Sequence, residues 1–188
     1  VENGKGGSST IIDTSTISRD LRVRNQDGFD IFTLISSGVG RDANVGHGKG
    51  GSTSTYDLST IGRNLTSRAS SGNDVIDLEV LTVLGRITVS TGDGDDSVAV
   101  DDSAVSGAVS VRTGRGNDTL NLDSSGAVSG PASTFAGRVD VKMGQNDDIV
   151  VIGVDGEAGN SADIDGRVTF DGSSGIDMLD LLLNGNMI

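Results

Sequence analysis

The sequence has no cysteine and no tryptophan, and only one proline, one histidine, one tyrosine and four phenylalanines among its 188 residues. Without cysteine there is no disulfide framework and no thiolate metal site. Basic residues are also scarce: 14 Lys and Arg stand against 27 Asp and Glu, giving a formal charge of −13. A nucleic-acid binder needs a basic surface to displace phosphate counterions, so that class is excluded. A membrane span needs about 20 consecutive apolar residues, and every apolar run here is far shorter. Glutamate is nearly missing, with 3 Glu beside 24 Asp, and lysine is rare, with 3 Lys beside 11 Arg. Helix bundles draw on Glu, Lys, Leu and Ala, so the missing residues argue against helices.

Turn formers are present in quantity: 29 Gly, with abundant Asp, Ser and Thr. Val, Ile and Leu are placed too regularly for a disordered acidic linker and suggest short strands between many turns. The length suits one domain.

A repeat of 22 residues organises the chain. Gly92-Asp93-Gly94-Asp95-Asp96-Ser97-Val98-Ala99-Val100 recurs as Gly114-Arg115-Gly116-Asn117-Asp118-Thr119-Leu120-Asn121-Leu122. The same offset produces a column of Ser8, Asp30, Ser52, Asp74, Asp96 and Asp118, which steps of 30 and 29 extend to Asp148 and Asp177. That makes eight repeats. Two residues earlier lies a column of seven glycines and one Asn146, the composition that a backbone position with φ > 0 selects. Alternating apolar columns mark three short strands per repeat, typified by Ile87-Thr88-Val89, Val98-Ala99-Val100 and the strand around Val105. One such unit cannot bury its apolar side alone, but stacked units can.

The expected fold is therefore all-β: a single-stranded parallel β-helix, or β-solenoid, of about eight 22-residue coils, two of them longer, right-handed and three-sided. One domain spans residues 1–188. At roughly 4.8 Å per coil the stack reaches on the order of 40 Å. Insertions near 124–134 and 154–163 fall between the second and third strands and project from one corner, either as binding loops or as tolerated additions.

Stacking turns the Asp column into a ladder of like charges about 5 Å apart, whose repulsion must be offset. Three means are available. Backbone N–H groups of the Gly turns can cap carboxylates. Arg19, Arg41, Arg63, Arg86, Arg138 and Arg167, which recur just before the first strand, can pair with them. A hard divalent cation can bridge coils through carboxylates and turn carbonyls. In a neighbouring column, Lys5, Asp27 and Lys49 alternate in sign along the stack.

Thr91-Gly92-Asp93-Gly94-Asp95-Asp96-Ser97-Val98 and Thr113-Gly114-Arg115-Gly116-Asn117-Asp118-Thr119-Leu120 resemble the hemolysin-type (RTX) calcium-binding nonapeptide, Gly-x-Gly-x-Asp-x-apolar-x. The turns leading to Asp74 and Asp148 are similar but degraded. The resemblance implies Ca²⁺ held by Gly92, Gly94, Asp96, Gly114, Gly116 and Asp118, with Asp74 and Asp148 as further ligands, in a secreted bacterial protein. The chain departs from that family in having one such turn per 22-residue coil instead of one every nine residues. Its coil length is similar to that of bacterial extracellular adhesin and autotransporter stalks.

No nucleophile elbow, phosphate loop or metalloprotease helix is present. His47, in Gly46-His47-Gly48, reads as an exposed loop residue. Thr91 and Thr113 align, but their column continues as Asn25, Ala69 and Met143, so no threonine ladder for ice forms. Neither end shows a capping helix, and the last residues are apolar, which suits end-to-end stacking or a segment of a longer stalk. The expected function is a non-enzymatic, extracellular or cell-surface bacterial structural protein. It would be a filament or adhesin-stalk subunit that self-associates end to end and is stiffened by calcium. The alternative is a secreted β-helix that binds cell-surface glycans or cleaves polysaccharide.

Overall fold

The computed structural model describes residues 1–123, 132–153 and 162–181. The interiors of both insertions, 124–131 and 154–161, lie outside the described residues, as does 182–188. Among the described residues all regular structure is strand, and every strand pairs in parallel with its counterpart one coil away. Three sheets result. Face 1 has seven strands, such as Leu65–Arg68, Ile87–Asp93 and Val109–Arg115. Face 2 has eight, such as Asp30–Ile35, Asp74–Glu79 and Ser97–Asp101. Face 3 has seven strands of two residues each, such as Thr82–Val83 and Ala104–Val105. The chain visits faces 1, 2 and 3 in turn, coil after coil. The three-sided parallel β-helix read from the sequence is the fold, and both insertions leave the corner between faces 2 and 3.

Register follows the 22-residue columns. Ile76 sits beside Val98, Val98 beside Leu120, and Leu120 beside Val150. Side-chain direction alternates along a strand, so one slip in register would turn the whole apolar row outward. In Asp30–Ile35 the buried residues are Asp30, Phe32 and Leu34, and their neighbours face out. The core is a stack of aliphatics with few aromatics; Phe32 and Tyr56 meet at 5.3 Å between ring centroids. Burying each such aliphatic side chain contributes about 1.5–3 kcal/mol.

The three corners are built differently. Between faces 1 and 2, every member of the predicted column (Gly6, Gly28, Gly50, Gly72, Gly94, Gly116, Asn146 and Gly175) has positive φ. A Cβ on Gly114 would collide with the carbonyl of Gly92, and one on Gly116 with that of Gly94. Glycine there serves both the turn and the close approach of coils. Between faces 2 and 3 a second left-handed column runs Thr14, Ser36, Leu58, Val80, Asp102 and Asp123, with φ of 47–58°. Each such non-glycine residue costs roughly 1–2 kcal/mol. The column mixes Thr, Ser, Leu, Val and Asp, so no single residue type marks it in the sequence.

Candidate functional site

The predicted site residues converge on the corner between faces 1 and 2. Asp74, Asp96, Asp118 and Asp148 stand at the leading end of face 2 with their side chains turned into the solenoid, each 1–2 % exposed. Gly92 and Gly114 are paired in register at the end of face 1, and Gly94 and Gly116 follow in the turn. The structure thus brings all eight predicted residues to one corner, with the carboxylates facing inward.

The inward carboxylates form a directional ladder. Asp74 N–H donates to Asp96 Oδ1 at 2.8 Å, Asp96 N–H to Asp118 Oδ1 at 2.9 Å, and Asp118 N–H to Asp148 Oδ1 at 2.9 Å. Asp148 N–H donates in turn to Asp177 Oδ1 at 3.2 Å. Where serine replaces aspartate, the hydroxyl takes part: Ser52 Oγ–H donates to Asp74 Oδ1 at 2.7 Å, and Ser8 Oγ–H to Asp30 Oδ1 at 2.6 Å. Each link satisfies a backbone donor at the corner, where the β-ladder is interrupted. The other oxygen, Oδ2, of Asp30, Asp74, Asp96, Asp118 and Asp148 is buried without a hydrogen-bond partner. Burial of these carboxyls, a cost on the charged form that outweighs the hydrogen bonds received, pushes Asp74, Asp96, Asp118 and Asp148 each up to about 6. Each is therefore about half protonated near pH 6, where an ordinary carboxyl is almost fully ionised.

Other corner ladders use the same device. On the solvent side of the glycine corner, Asn117 N–H donates to Asp95 Oδ1 and Asp147 N–H to Asn117 Oδ1, from the later coil to the earlier one. That is opposite in sense to the inner ladder. Between faces 2 and 3, Ser37 N–H donates to Ser59 Oγ, Leu81 N–H to Ser103 Oγ and Ser103 N–H to Ser133 Oγ. Between faces 3 and 1, Asn64 N–H donates to Asp42 Oδ1, and Arg86 N–H to Asn64 Oδ1. The serine column keeps the 22-residue step from Ser15 to Ser59, so the offset alone would have found it.

The arginines do not serve the inner ladder, contrary to one sequence expectation. Arg41 pairs with Asp20 at 3.5 Å, Arg63 with Asp42 at 3.6 Å, and Arg138 with Asp140 at 2.6 Å, all near or at the corner before face 1. They lie at a different corner from the inner column and cannot reach it.

The expectation for His47 is also corrected, because its side chain is 1 % exposed. It occupies the inward column of Asn25, Thr91 and Thr113, next to the aspartate column. Asn3 Nδ2–H donates to Asn25 Oδ1 at 2.7 Å, and Asn25 Nδ2 lies 3.0 Å from His47 Nδ1. Asn25 Nδ2 can only donate, so Nδ1 accepts and Nε2–H donates to Ser54 Oγ at 2.8 Å. Asp30 Oδ2 lies 3.9 Å from Nδ1. Serine, histidine and aspartate stand close together, as in a hydrolase relay, but the proton sits on the wrong nitrogen. Nε2 donates to the serine instead of accepting from it, so Ser54 is not activated. Burial holds the His47 imidazolium pKa below its ordinary value, with Asp30 opposing, which favours the neutral ring. Ser54 is itself fully buried, out of reach of any substrate.

Calcium requires about six to eight oxygen ligands. The carbonyls of Asp93, Arg115 and Gln145 in the glycine corner already accept the N–H groups of Gly72, Gly94 and Gly116. The inner ladder offers one unpaired carboxylate oxygen per coil. Among the described residues no group of three or more His, Asp or Glu side chains is placed to hold one metal ion.

Comparison of the chain with protein-family models, curated proteins and solved structures gave no significant match.

Proposed function

We propose that this chain is a structural β-solenoid element, a filament subunit or stalk segment that continues its coil stack end to end. The observation that carries this reading is at the last described coil. There Ile152, Ile164, Val168, Phe170, Leu179 and Leu181 line an open apolar groove of about 430 Å³. These residues continue the columns that form the core elsewhere, so the groove has the shape of the solenoid interior and accepts one more coil. Covering it removes apolar surface from water at about 25 cal/mol per Å². The repeated corner ladders support the same reading, since their polar groups are spent on joining coils. The closed Ser54–His47 pair adds to that support. An extracellular, bacterial setting is proposed on the resemblance to adhesin and autotransporter stalks.

Electron microscopy of the purified chain across a concentration series tests the reading. Rods longer than the roughly 40 Å of one eight-coil stack, lengthening with concentration, are expected, and single short particles at every concentration would overturn it. Calcium stiffening, which the resemblance to the calcium-binding nonapeptide implies, is proposed as an added contribution. It is read in the same micrographs by adding calcium and then a chelator.

A further inference from the structure

The cations of this chain are gathered on one face, whose strands also carry Asp93, Asp140 and Asp171. All eleven arginines and Lys142 lie on face 1 or at the corner leading into it; Lys49 stands where face 1 ends, in the register column of Ser71, Asp93 and Arg115, and Lys5 lies in the glycine corner. On the outward side of face 1, Arg24, Arg68 and Arg112 alternate with Gly46 and Ser90 in one register column, which Lys142 continues. Arg24 pairs with Glu2 and Lys142 with Asp171, both at 3.3 Å. Arg68 and Arg112 are exposed and, among the described residues, have no carboxylate within ion-pair distance. The small residues between the cations leave notches; the one at Gly46 has a volume of about 220 Å³ and is flanked by Arg24 and Arg68.

Face 2 carries the opposite sign. Asp57, Glu79 and Asp101 form one outward column in continuous register, and Asp77 stands beside it. Burial first, then the charges of Asp101 and Asp57, raise the carboxyl of Asp77; burial, then Asp77 and Asp57, raise that of Glu79. The cluster therefore gains from an external cation. Ile31 and Val75, 40 % and 42 % exposed, lie on the same face and would be covered by a docked surface.

Both faces belong to one solenoid, so they share one axial repeat. Arg68 and Arg112 are two coils apart, and so are Asp57 and Asp101. At strand spacing each interval is about 10 Å. The two charge rows are thus commensurate without adjustment.

We propose that face 1 of one copy docks side by side on face 2 of a second copy, with Arg68 and Arg112 seated against the column of Asp57, Glu79 and Asp101. Arginine suits this role because its planar guanidinium binds a carboxylate through two parallel hydrogen bonds. The contact joins two different patches, so each pair leaves one free face of each kind and the assembly grows into sheets or bundles. It is lateral, and it holds whether or not the coils also stack end to end.

Sedimentation velocity of the full chain at low salt and in about 0.5 M sodium chloride tests the proposal, since charge pairing across an exposed contact is screened at the higher value. Dimers and larger species at low salt that disappear at high salt are expected. Apolar end stacking does not weaken with salt, so its presence or absence is read separately, from the high-salt species. R68E/R112E and D77K/E79K should each abolish the low-salt species, and mixing the two variants should restore one-to-one pairs through their intact faces. R68Q/R112Q, which keeps side-chain bulk, should also lose the species. Equal size at both salt concentrations, variants that associate like the parent, or a mixture that stays unpaired would overturn the proposal. So would capture of a polyuronate by face 1 in a chain that never pairs with itself.

Discussion

The backbone N–H of Asp74 donates to the carboxylate of Asp96, one coil further on, at 2.8 Å. The relationship explains why the inner column uses aspartate and never glutamate. A carboxyl one carbon from Cα reaches the corner amide of the adjacent coil from within the wall; a carboxyl one methylene longer would be driven into the packed interior. Asp96→Ala should destabilise the fold by about 1–3 kcal/mol, because it leaves the buried Asp74 amide unpaired. Asp95→Ala, on the solvent side of the same corner, should cost less, since water replaces the bond to Asn117. Chemical denaturation of the two variants measures the difference. Asp96→Glu should be destabilising also, by about 1–3 kcal/mol from overpacking.

The second left-handed corner gives a prediction of opposite sign. Val80 has φ of 49°, a conformation that a β-branched residue adopts only under strain. Val80→Gly should stabilise the chain by roughly 1 kcal/mol, once the entropy glycine gains in the unfolded chain is set against the relieved strain. Gly114→Ala should destabilise it, since the new methyl meets the carbonyl of Gly92 where φ is 136°. Thermal melts of both variants decide the matter.

His47 gives a third. Its folded pKa is lowered, so its contribution to stability is present above the unfolded value near 6.5 and is lost as pH falls through the folded one. Replacing it with phenylalanine should remove that acid-side loss. At neutral pH the same change should cost about 1–3 kcal/mol, because Asn25 Nδ2 and Ser54 Oγ lose their partner. Unfolding of His47→Phe and the parent across pH 4–8 by circular dichroism reads both effects.

Much of this architecture is legible in the sequence because stacking converts spacing into contact. The 22-residue step places Ile76, Val98, Leu120 and Val150 in one column and fixes both the face they bury and their neighbours. The glycine column announces positive φ through residue type alone. The column of Val80 and Leu58 does not, because tertiary stacking imposes the left-handed turn against the preference of the residues. His47 reads as a loop residue because its neighbours are glycines. The same offset from Asn25 to His47 would have put it inside, in a column that mixes Asn, His, Thr and Met and so lacks an apolar signature. The pairing of arginines with Asp20 and Asp42, and not with the inner ladder, depends on which corner each column occupies, and spacing alone does not supply that.

The inner aspartates form a structural ladder whose buried carboxyls favour the protonated form. Their folded pKa values of about 6 lie above the ordinary carboxyl value. The stability they contribute is then fully present below about pH 4 and is lost as pH rises through about 6. The direct measurement is thermal unfolding across pH 4–8 of the parent chain and of D74N/D96N/D118N. Its amides keep the Oδ1 acceptor and cannot ionise. The parent should lose stability relative to the triple variant as pH rises through 6. A difference that does not change with pH, or one that favours the parent at pH 8, would contradict the account.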